Sequence, residues 1–379
     1  MRIPRSATSF LIAAEAIVMV VVLVLCVVHP WATKPKNDLG GNNTEFVDNQ
    51  PGVQENTENL IGSVVDTETE KESEPDVNEI EVVFSEEVLA KVDAMTTEQK
   101  VAQLFIITPE ALTGADKVTV TGNATKNALN QYPVGGLVYS SMNFQGKTQV
   151  KNMLNGAQSH YMAQFGMPVF LMISEQGGAD SSPLATAVHY EVEAAPSEVG
   201  ATADAQNAIQ AATDISTYLK EMGFNINIAP NVEVYSQDDS VSSIMVAETV
   251  STFETKGIST VLHTFTSENT GASEDEVLVY KAGIDAGCDA LMVSGATKEM
   301  VHYLRANMQY GGLLIHDSLA TDQVVSVVNA GVDMMYCPEN FVEAYQAVLD
   351  AVNAEEISEE TLETAVARIL TCKGNLGSE

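Results

Sequence analysis

Basic residues are scarce in this chain. Lys and Arg total 18 against 52 Asp and Glu, which gives the 379 residues a formal net charge of −34. A negative field of this size repels phosphate backbones and anionic lipid headgroups. The charge balance therefore argues against nucleic-acid binding as a function of the chain.

Cysteine is also rare, with four in the chain, and no Cys-x-x-Cys pair or Cys/His cluster has the spacing of a zinc site. Buried thiols are the expected state of these cysteines. A disulfide between Cys288 and Cys337 stays open, because spacing alone cannot decide it. Nothing in the sequence requires a metal or an organic cofactor. The chain is rich in apolar residues, which make up 45% and suffice for a sizeable core.

One long apolar run lies near the N-terminus. Residues 10–28 are apolar apart from Glu15, and at about 1.5 Å per residue the run would span roughly the hydrocarbon thickness of a bilayer. Arg2 and Arg5 precede it, which predicts a cytoplasmic N-terminus and an extracellular remainder. No small-residue cleavage site is obvious, so an uncleaved anchor is favoured over a removed signal peptide. Residues 1–32 are therefore predicted to form a single-pass signal anchor in the cell membrane.

The next segment has a different composition. Residues 33–84 are rich in Asp, Glu, Asn, Thr and Ser, and their apolar residues follow no period. Such a composition buries too little surface to offset the entropy of ordering. We therefore expect a disordered acidic tether over 33–84, followed by one globular domain over 85–379.

The globular part alternates between two patterns. Eight short apolar, β-prone segments recur along it, and stretches with helical periodicity separate them. The segments are 103–107, 134–140, 168–173, 224–229, 258–263, 289–293, 313–316 and 332–336. This alternation predicts a parallel sheet covered by helices, and eight units favour a closed (β/α)8 barrel of the TIM type. An open doubly wound sheet is the alternative.

Polar residues follow several of these segments, at the end of a barrel where chemistry takes place. Asp317 comes directly after the seventh segment. Its carboxylate could attack an acetal carbon, a reaction that needs a second group to transfer a proton to the leaving oxygen. Spacing alone does not identify that second group.

Six stretches carry motifs in a fixed order along the chain: 95–105, 134–138, 174–178, 224–234, 316–319 and 357–370. Together they resemble the N-terminal domain of glycoside hydrolase family 3, and the nearest branch is that of the bacterial β-N-acetylhexosaminidases. The likeness covers residues 88–377 and implies a TIM-type barrel that hydrolyses glycosides. The family's Ser-Asp-x-Leu motif aligns with His316-Asp317-Ser318-Leu319, which places the nucleophile at Asp317.

The departures from the family pattern concern the residues that grip and protonate the substrate. Ser174 replaces a sugar-binding Asp, and Leu262 replaces the Lys of Lys-His-Phe-Pro-Gly. The loop 267–275 has no second His where the branch carries an Asp/His acid–base pair. Glu268, Glu274 and Asp275 could substitute, although they also fit a solvated acidic loop. Loss of a general acid alone costs about 10²–10⁴-fold in rate.

These features predict a membrane-tethered relative that acts on or binds cell-wall amino-sugar glycans, with weakened or lost catalysis. Its partners would be such a glycan and, through the N-terminal helix, the membrane. Asp317 is the nucleophile by resemblance and Glu268 the candidate acid/base. The expected sugar contacts are Ser174, Gln176, Glu233 and His263. Two alternatives stay open: an active retaining β-N-acetylhexosaminidase that uses Asp317, and a scaffold module without glycan binding.

Overall fold

The computed structural model describes residues 82–273, 277–317 and 319–376. Eight parallel strands form a closed barrel, in which each strand pairs with the next and the eighth pairs with the first. The strands are β1 Phe105–Ile107, β2 Gly136–Val138, β3 Phe170–Ile173, β4 Ile226–Asn227, β5 Ser259–Thr266, β6 Ala290–Ser294, β7 Leu313–His316 and β8 Met334–Tyr336. The predicted (β/α)8 barrel is confirmed, and the open-sheet alternative is wrong. The predicted anchor, and nearly all of the predicted tether, lie outside the described residues.

Helices connect the strands on the outside of the barrel. They are α1 Glu86–Ala94, α2 Thr97–Gln103, α3 Pro109–Thr113, α4 Asn123–Gln131, α5 Lys147–Phe165, α6 Pro183–Val188, α7 Pro196–Ala201, α8 Ala205–Met222, α9 Asp239–Thr255, α10 Leu278–Asp285, α11 Lys298–His302, α12 Val324–Asn329, α13 Phe341–Asn353 and α14 Glu359–Asn375. Within the described ranges, no helix is both long and apolar enough to cross a membrane.

Local sequence explains where the long helices begin and end. Gly166 ends α5 in the left-handed conformation, with φ of 64°, which a residue without Cβ adopts at little cost. Ser358 caps α14, because its hydroxyl accepts the backbone N–H of Thr361 at 3.1 Å. The apolar stripe of α5 is buried against the barrel as its 3.6-residue period predicts.

Two strands differ from the predicted segments. β4 is only two residues long, whereas β5 continues to Thr266 with a register shift between Leu262 and Phe265. His263 therefore lies within β5 and not at its end. The strand bounds also decide the open disulfide: Cys288 precedes β6 and Cys337 follows β8, so the two thiols lie at opposite ends of the barrel, and both are free.

Candidate active site at the barrel mouth

Asp317 lies at the barrel mouth, as predicted, directly after β7. Its backbone N–H donates to the Val293 carbonyl of β6 at 3.0 Å, so the residue continues the ladder between these strands. A third of its side chain, 33%, is exposed. A carboxylate held by its backbone and open to solvent in this way can contact a ligand that enters the mouth.

His316 lies behind this carboxylate and is almost fully buried. Its Nδ1 is 2.8 Å from the Asp317 carbonyl oxygen and 3.4 Å from Asp317 Oδ1. Its Nε2 accepts the backbone N–H of Ala296 at 3.3 Å. The sequence did not point to a role for His316; the available signal was a histidine where the family motif has serine.

His263 lies within reach of two carboxylates. Burial lowers the pKa of His263 below its usual value, while the negative charges of Asp317 and Glu233 act in the opposite direction. The imidazole is therefore mostly neutral near pH 7. The segment that follows β4 is held beside it, because the Val232 N–H donates to the His263 carbonyl at 3.1 Å. His263 thus lies within electrostatic range of two other predicted site residues, Asp317 and Glu233.

The turn after β3 carries Ser174 and Gln176, whose polar groups bind the protein itself. The Ser174 hydroxyl donates to the Ile228 carbonyl at 3.1 Å. The Gln176 side chain accepts the Asn231 N–H at 3.0 Å and donates to Ser174 Oγ at 3.4 Å. These contacts fix the mouth between β3 and β4, and they occupy groups that were predicted to bind sugar.

Glu175, between these two residues, is a structural carboxylate. It is fully buried, and burial raises its pKa, while the N–H groups of Leu184 and Ala185 and the hydroxyl of Tyr218 donate to it. Its oxygens satisfy the first N–H groups of α6, whose partners would otherwise be missing. Glu175 therefore anchors α6 beneath the mouth and does not face a ligand.

The same turn gives a stability prediction. Gly177 has φ of 86°, and a Cβ there would lie 2.3 Å from the Ala194 carbonyl oxygen. We expect Gly177→Ala to lower the free energy of unfolding by about 2–4 kcal/mol, because both the strained backbone and the clash must be relieved. Denaturant unfolding of the full chain measures this loss. Gly374→Ala in α14, where nothing lies within 4 Å of the new Cβ, is the control, and equal stability of both variants would contradict the prediction.

Glu268, the predicted acid/base, makes none of these contacts. Glu268 is exposed in a helical turn, Ser267–Asn269, that follows β5. No hydrogen bond or ion pair joins it to Asp317 among the described residues. Glu274 and Asp275, the other two candidates of this loop, lie outside them. Among all the residues that the structure describes, no group of three or more His, Cys, Asp or Glu side chains is arranged to hold a metal ion.

Comparison with known proteins gives matches along most of the barrel. Residues 96–251 and 246–372 match the model of the glycosyl hydrolase family 3 N terminal domain. A β-hexosaminidase A from Pseudoalteromonas piscicida is 22% identical over an alignment that covers 65% of this chain and 54% of the relative. The chain thus spans about half the length of that curated relative.

Solved structures show the same architecture. A glycoside hydrolase family 3 β-N-acetylglucosaminidase from Paenibacillus sp. str. FPU-7 superposes with a TM-score of 0.67 at 21% identity, covering 74% of this chain and 63% of that one. A β-N-acetylhexosaminidase from Beutenbergia cavernae DSM 12333 gives a TM-score of 0.63 at 19% identity, covering 74% and 99%. At these identities the likeness shows the fold. Together with the family match, it confirms the resemblance that the motifs indicated.

Proposed function

Because the chain belongs to glycosyl hydrolase family 3 through the N-terminal domain of that family, we propose that it binds amino-sugar glycans at the barrel mouth and that its catalysis is weakened or lost. The names of its relatives, a β-hexosaminidase and a β-N-acetylglucosaminidase, support this class of ligand. The proposal retains a cell-wall glycan as the partner. It also retains the membrane-anchored, extracellular location, which rests on the sequence alone.

The observation that carries the proposal is the place of Leu262, which stands where the family has a lysine. Leu262 is fully buried, and a Cβ on Gly283 of α10 would lie 2.5 Å from its Cδ1. The side chain therefore packs between the barrel and α10 and does not face the mouth. A lysine that grips a sugar hydroxyl supplies a charge-assisted bond of about 1.5–3 kcal/mol, which leucine cannot replace.

Proton transfer is the second weakness of the site. A retaining mechanism needs a protonated group about 5–5.5 Å from the nucleophile. His263, the imidazole within electrostatic reach of Asp317, is mostly neutral near pH 7, and Glu268 is exposed in its loop. A leaving group that requires protonation would therefore depart slowly.

One observation favours the alternative of an active retaining hydrolase. The charges of Glu233 and Asp317 both act on His263, so a second carboxyl group is available at the mouth. In that case Glu233 would take the acid/base role predicted for Glu268. Glu233→Gln would then slow the cleavage of poor leaving groups by about 10²–10⁴-fold and leave activated leaving groups less affected.

A comparison of two substrates tests the proposal on the full chain. We expect N-acetylchitooligosaccharides to bind, and we expect Asp317→Ala to weaken that binding about tenfold. The 4-nitrophenyl N-acetyl-β-glucosaminide should be hydrolysed at least about 10²-fold more slowly than the 2,4-dinitrophenyl glycoside, whose leaving group needs no protonation. Binding is measured by calorimetry and turnover by release of the phenol.

The control is Asp322→Ala, an exposed aspartate in the segment that follows β7, which should leave binding and turnover unchanged. Brisk cleavage of both substrates that is lost in Asp317→Asn would overturn the proposal in favour of the active hydrolase. The absence of both binding and turnover would favour the scaffold alternative.

A further inference from the structure

The buried imidazole behind Asp317 has a defined protonation pattern. The Ala296 backbone N–H can only donate, so His316 Nε2, 3.3 Å away, must accept and carries no proton. In the neutral ring the proton then lies on Nδ1, which donates to the Asp317 carbonyl at 2.8 Å. Both ring nitrogens are satisfied in only one ring orientation.

This orientation also places the ring beside the Asp317 carboxylate. Asp317 Oδ1 is 3.4 Å from Nδ1, so the ring is in contact with the carboxylate while its N–H donates to the Asp317 carbonyl. Asp317 itself has little freedom at its backbone, because its N–H donates to the Val293 carbonyl. The side-chain torsions remain, and a buried ring with 6% of its side chain exposed limits them from one side.

The ring also joins two strand ends. Ala296 follows β6, and Asp317 follows β7, so one side chain spans the gap between neighbouring loops of the mouth. The serine that precedes the aspartate in the family motif has a single oxygen next to Cβ. It is too short to accept from Ala296 and to approach the Asp317 carboxylate at the same time. The link that the His316 ring makes between Ala296 and Asp317, here called the bridge, is thus a property of this chain and not of the motif.

We propose that His316 is a positioning residue, which sets the rotamer of the Asp317 carboxylate and couples it to the segment 295–297. The proposal rests on the proposed function only in the role that it gives Asp317, as a contact for glycan or as a weak nucleophile. The geometry of the ring and of its two partners holds whichever of these roles applies. Displacement of a reacting or binding group by about 1 Å costs up to 10²-fold, so the bridge has a measurable effect.

Two isosteric substitutions separate the two halves of the bridge. His316→Asn keeps an N–H donor near the place of Nδ1 and loses the acceptor for Ala296. His316→Gln keeps an acceptor near the place of Nε2 and loses the donor for Asp317. We expect the Gln variant to bind glycan about tenfold more weakly than the wild type. Where turnover is measurable, its kcat should fall about tenfold with KM unchanged. The Asn variant should stay within about threefold of the wild type in both quantities. His160→Asn, on the distant helix α5, is the control.

The ¹⁵N signals of the imidazole rings give a test that needs no ligand. The full chain has six histidines, and the signal that disappears in His316→Asn identifies His316. We expect the Nδ1–H tautomer, the less common form of the free imidazole. An Nε2–H tautomer would overturn the proposal, because it is incompatible with the Ala296 contact.

Crystal structures of the wild type and of His316→Gln complete the test. We expect one Asp317 rotamer in the wild type and a displaced carboxylate in the Gln variant. Unchanged carboxylate positions, or equal affinity of the Asn, Gln and wild-type proteins, would overturn the positioning role. If the wild type neither binds nor cleaves glycan, the proposed function fails, and the tautomer and the rotamer still decide the role of His316.

Discussion

Replacement of Asp333 by alanine is expected to lower the free energy of unfolding by about 3–5 kcal/mol. The carboxylate is 1% exposed at the start of β8 and pairs with Arg305 at 2.8 Å and with Arg368 at 3.1 Å. Without it, two guanidinium groups with little access to water would keep their charges and lose their counterion. Removal of one partner of such a group costs far more than the intact ion pair contributes.

The same carboxylate holds three parts of the fold together. The carboxylate Oδ2 accepts the Leu314 N–H at 2.8 Å, and the backbone N–H of Asp333 donates to the Leu314 carbonyl at 3.0 Å. These two hydrogen bonds join β7 to β8. Arg305 comes from the helical turn Tyr303–Asn307, and Arg368 comes from α14, the last helix of the barrel. The loss should therefore loosen the docking of α14 as well as the strand pair.

Thermal unfolding of the full chain followed by circular dichroism measures the effect. A loss of this size lowers the midpoint by about 10 °C in a domain of several hundred residues. Asp116→Ala, at an exposed position between α3 and α4, is the matched control and should leave the midpoint unchanged. A drop of less than about 2 °C for Asp333→Ala would show that water or a neighbouring group compensates the arginines.

The sequence was sufficient to predict the barrel and the order of residues around its mouth. The carboxyl ends of parallel strands meet on one face, so a polar residue after each apolar run marks that face. Asp317, Ser174 and Glu233 follow β7, β3 and β4 as this reasoning requires. These predictions depended on local hydrophobic patterns and on the count of eight strand–helix units, and the periodicity of the sequence reveals both.

The direction and the partners of side chains could not be predicted in this way. Leu262 and His263 are neighbours in the chain, yet Leu262 packs against α10, whereas the pKa of His263 is influenced by the charges of Asp317 and Glu233. The register of β5 against β6 shifts directly after Leu262, and the periodicity of the sequence does not reveal this shift. Asp333 is a polar residue within the apolar segment 332–336, and its arginine partners lie 28 and 35 residues away in the chain. Such pairs are specified by tertiary packing, not by spacing in the chain.

The second large effect is expected in the pH dependence of stability. Burial, and then the charge of Asp289, raise the pKa of Glu254 to about 8, and burial also raises the pKa of Asp289. Glu254 accepts the Thr260 N–H at 2.8 Å, and Asp289 accepts the Ser259 hydroxyl at 2.5 Å. In the unfolded chain Glu254 ionises near 4.5, its ordinary value. Folding therefore takes up a proton between about pH 4.5 and 8.

The free energy of unfolding must then fall as the pH rises through that window, and the contribution is level above it. Lys373 acts in the opposite direction above pH 7, because burial lowers its pKa to about 7 and folding there releases a proton. The net profile of the wild type therefore mixes both groups. The difference between Glu254→Gln and the wild type isolates the carboxyl pair, since Lys373 is common to both proteins.

Glutamine has the shape and the hydrogen-bonding groups of a protonated glutamate, so Glu254→Gln keeps the favourable state at every pH. We expect the two proteins to agree within about 1 kcal/mol at pH 5 and the variant to be more stable by about 2–4 kcal/mol at pH 9. Denaturant unfolding of the full chain at both pH values measures the difference, and Glu248→Gln, earlier on α9, should show none. A variant that is destabilised equally at pH 5 and pH 9 would mean that Glu254 is ionised in the folded protein, because only a raised pKa of Glu254 makes the advantage of glutamine grow with pH.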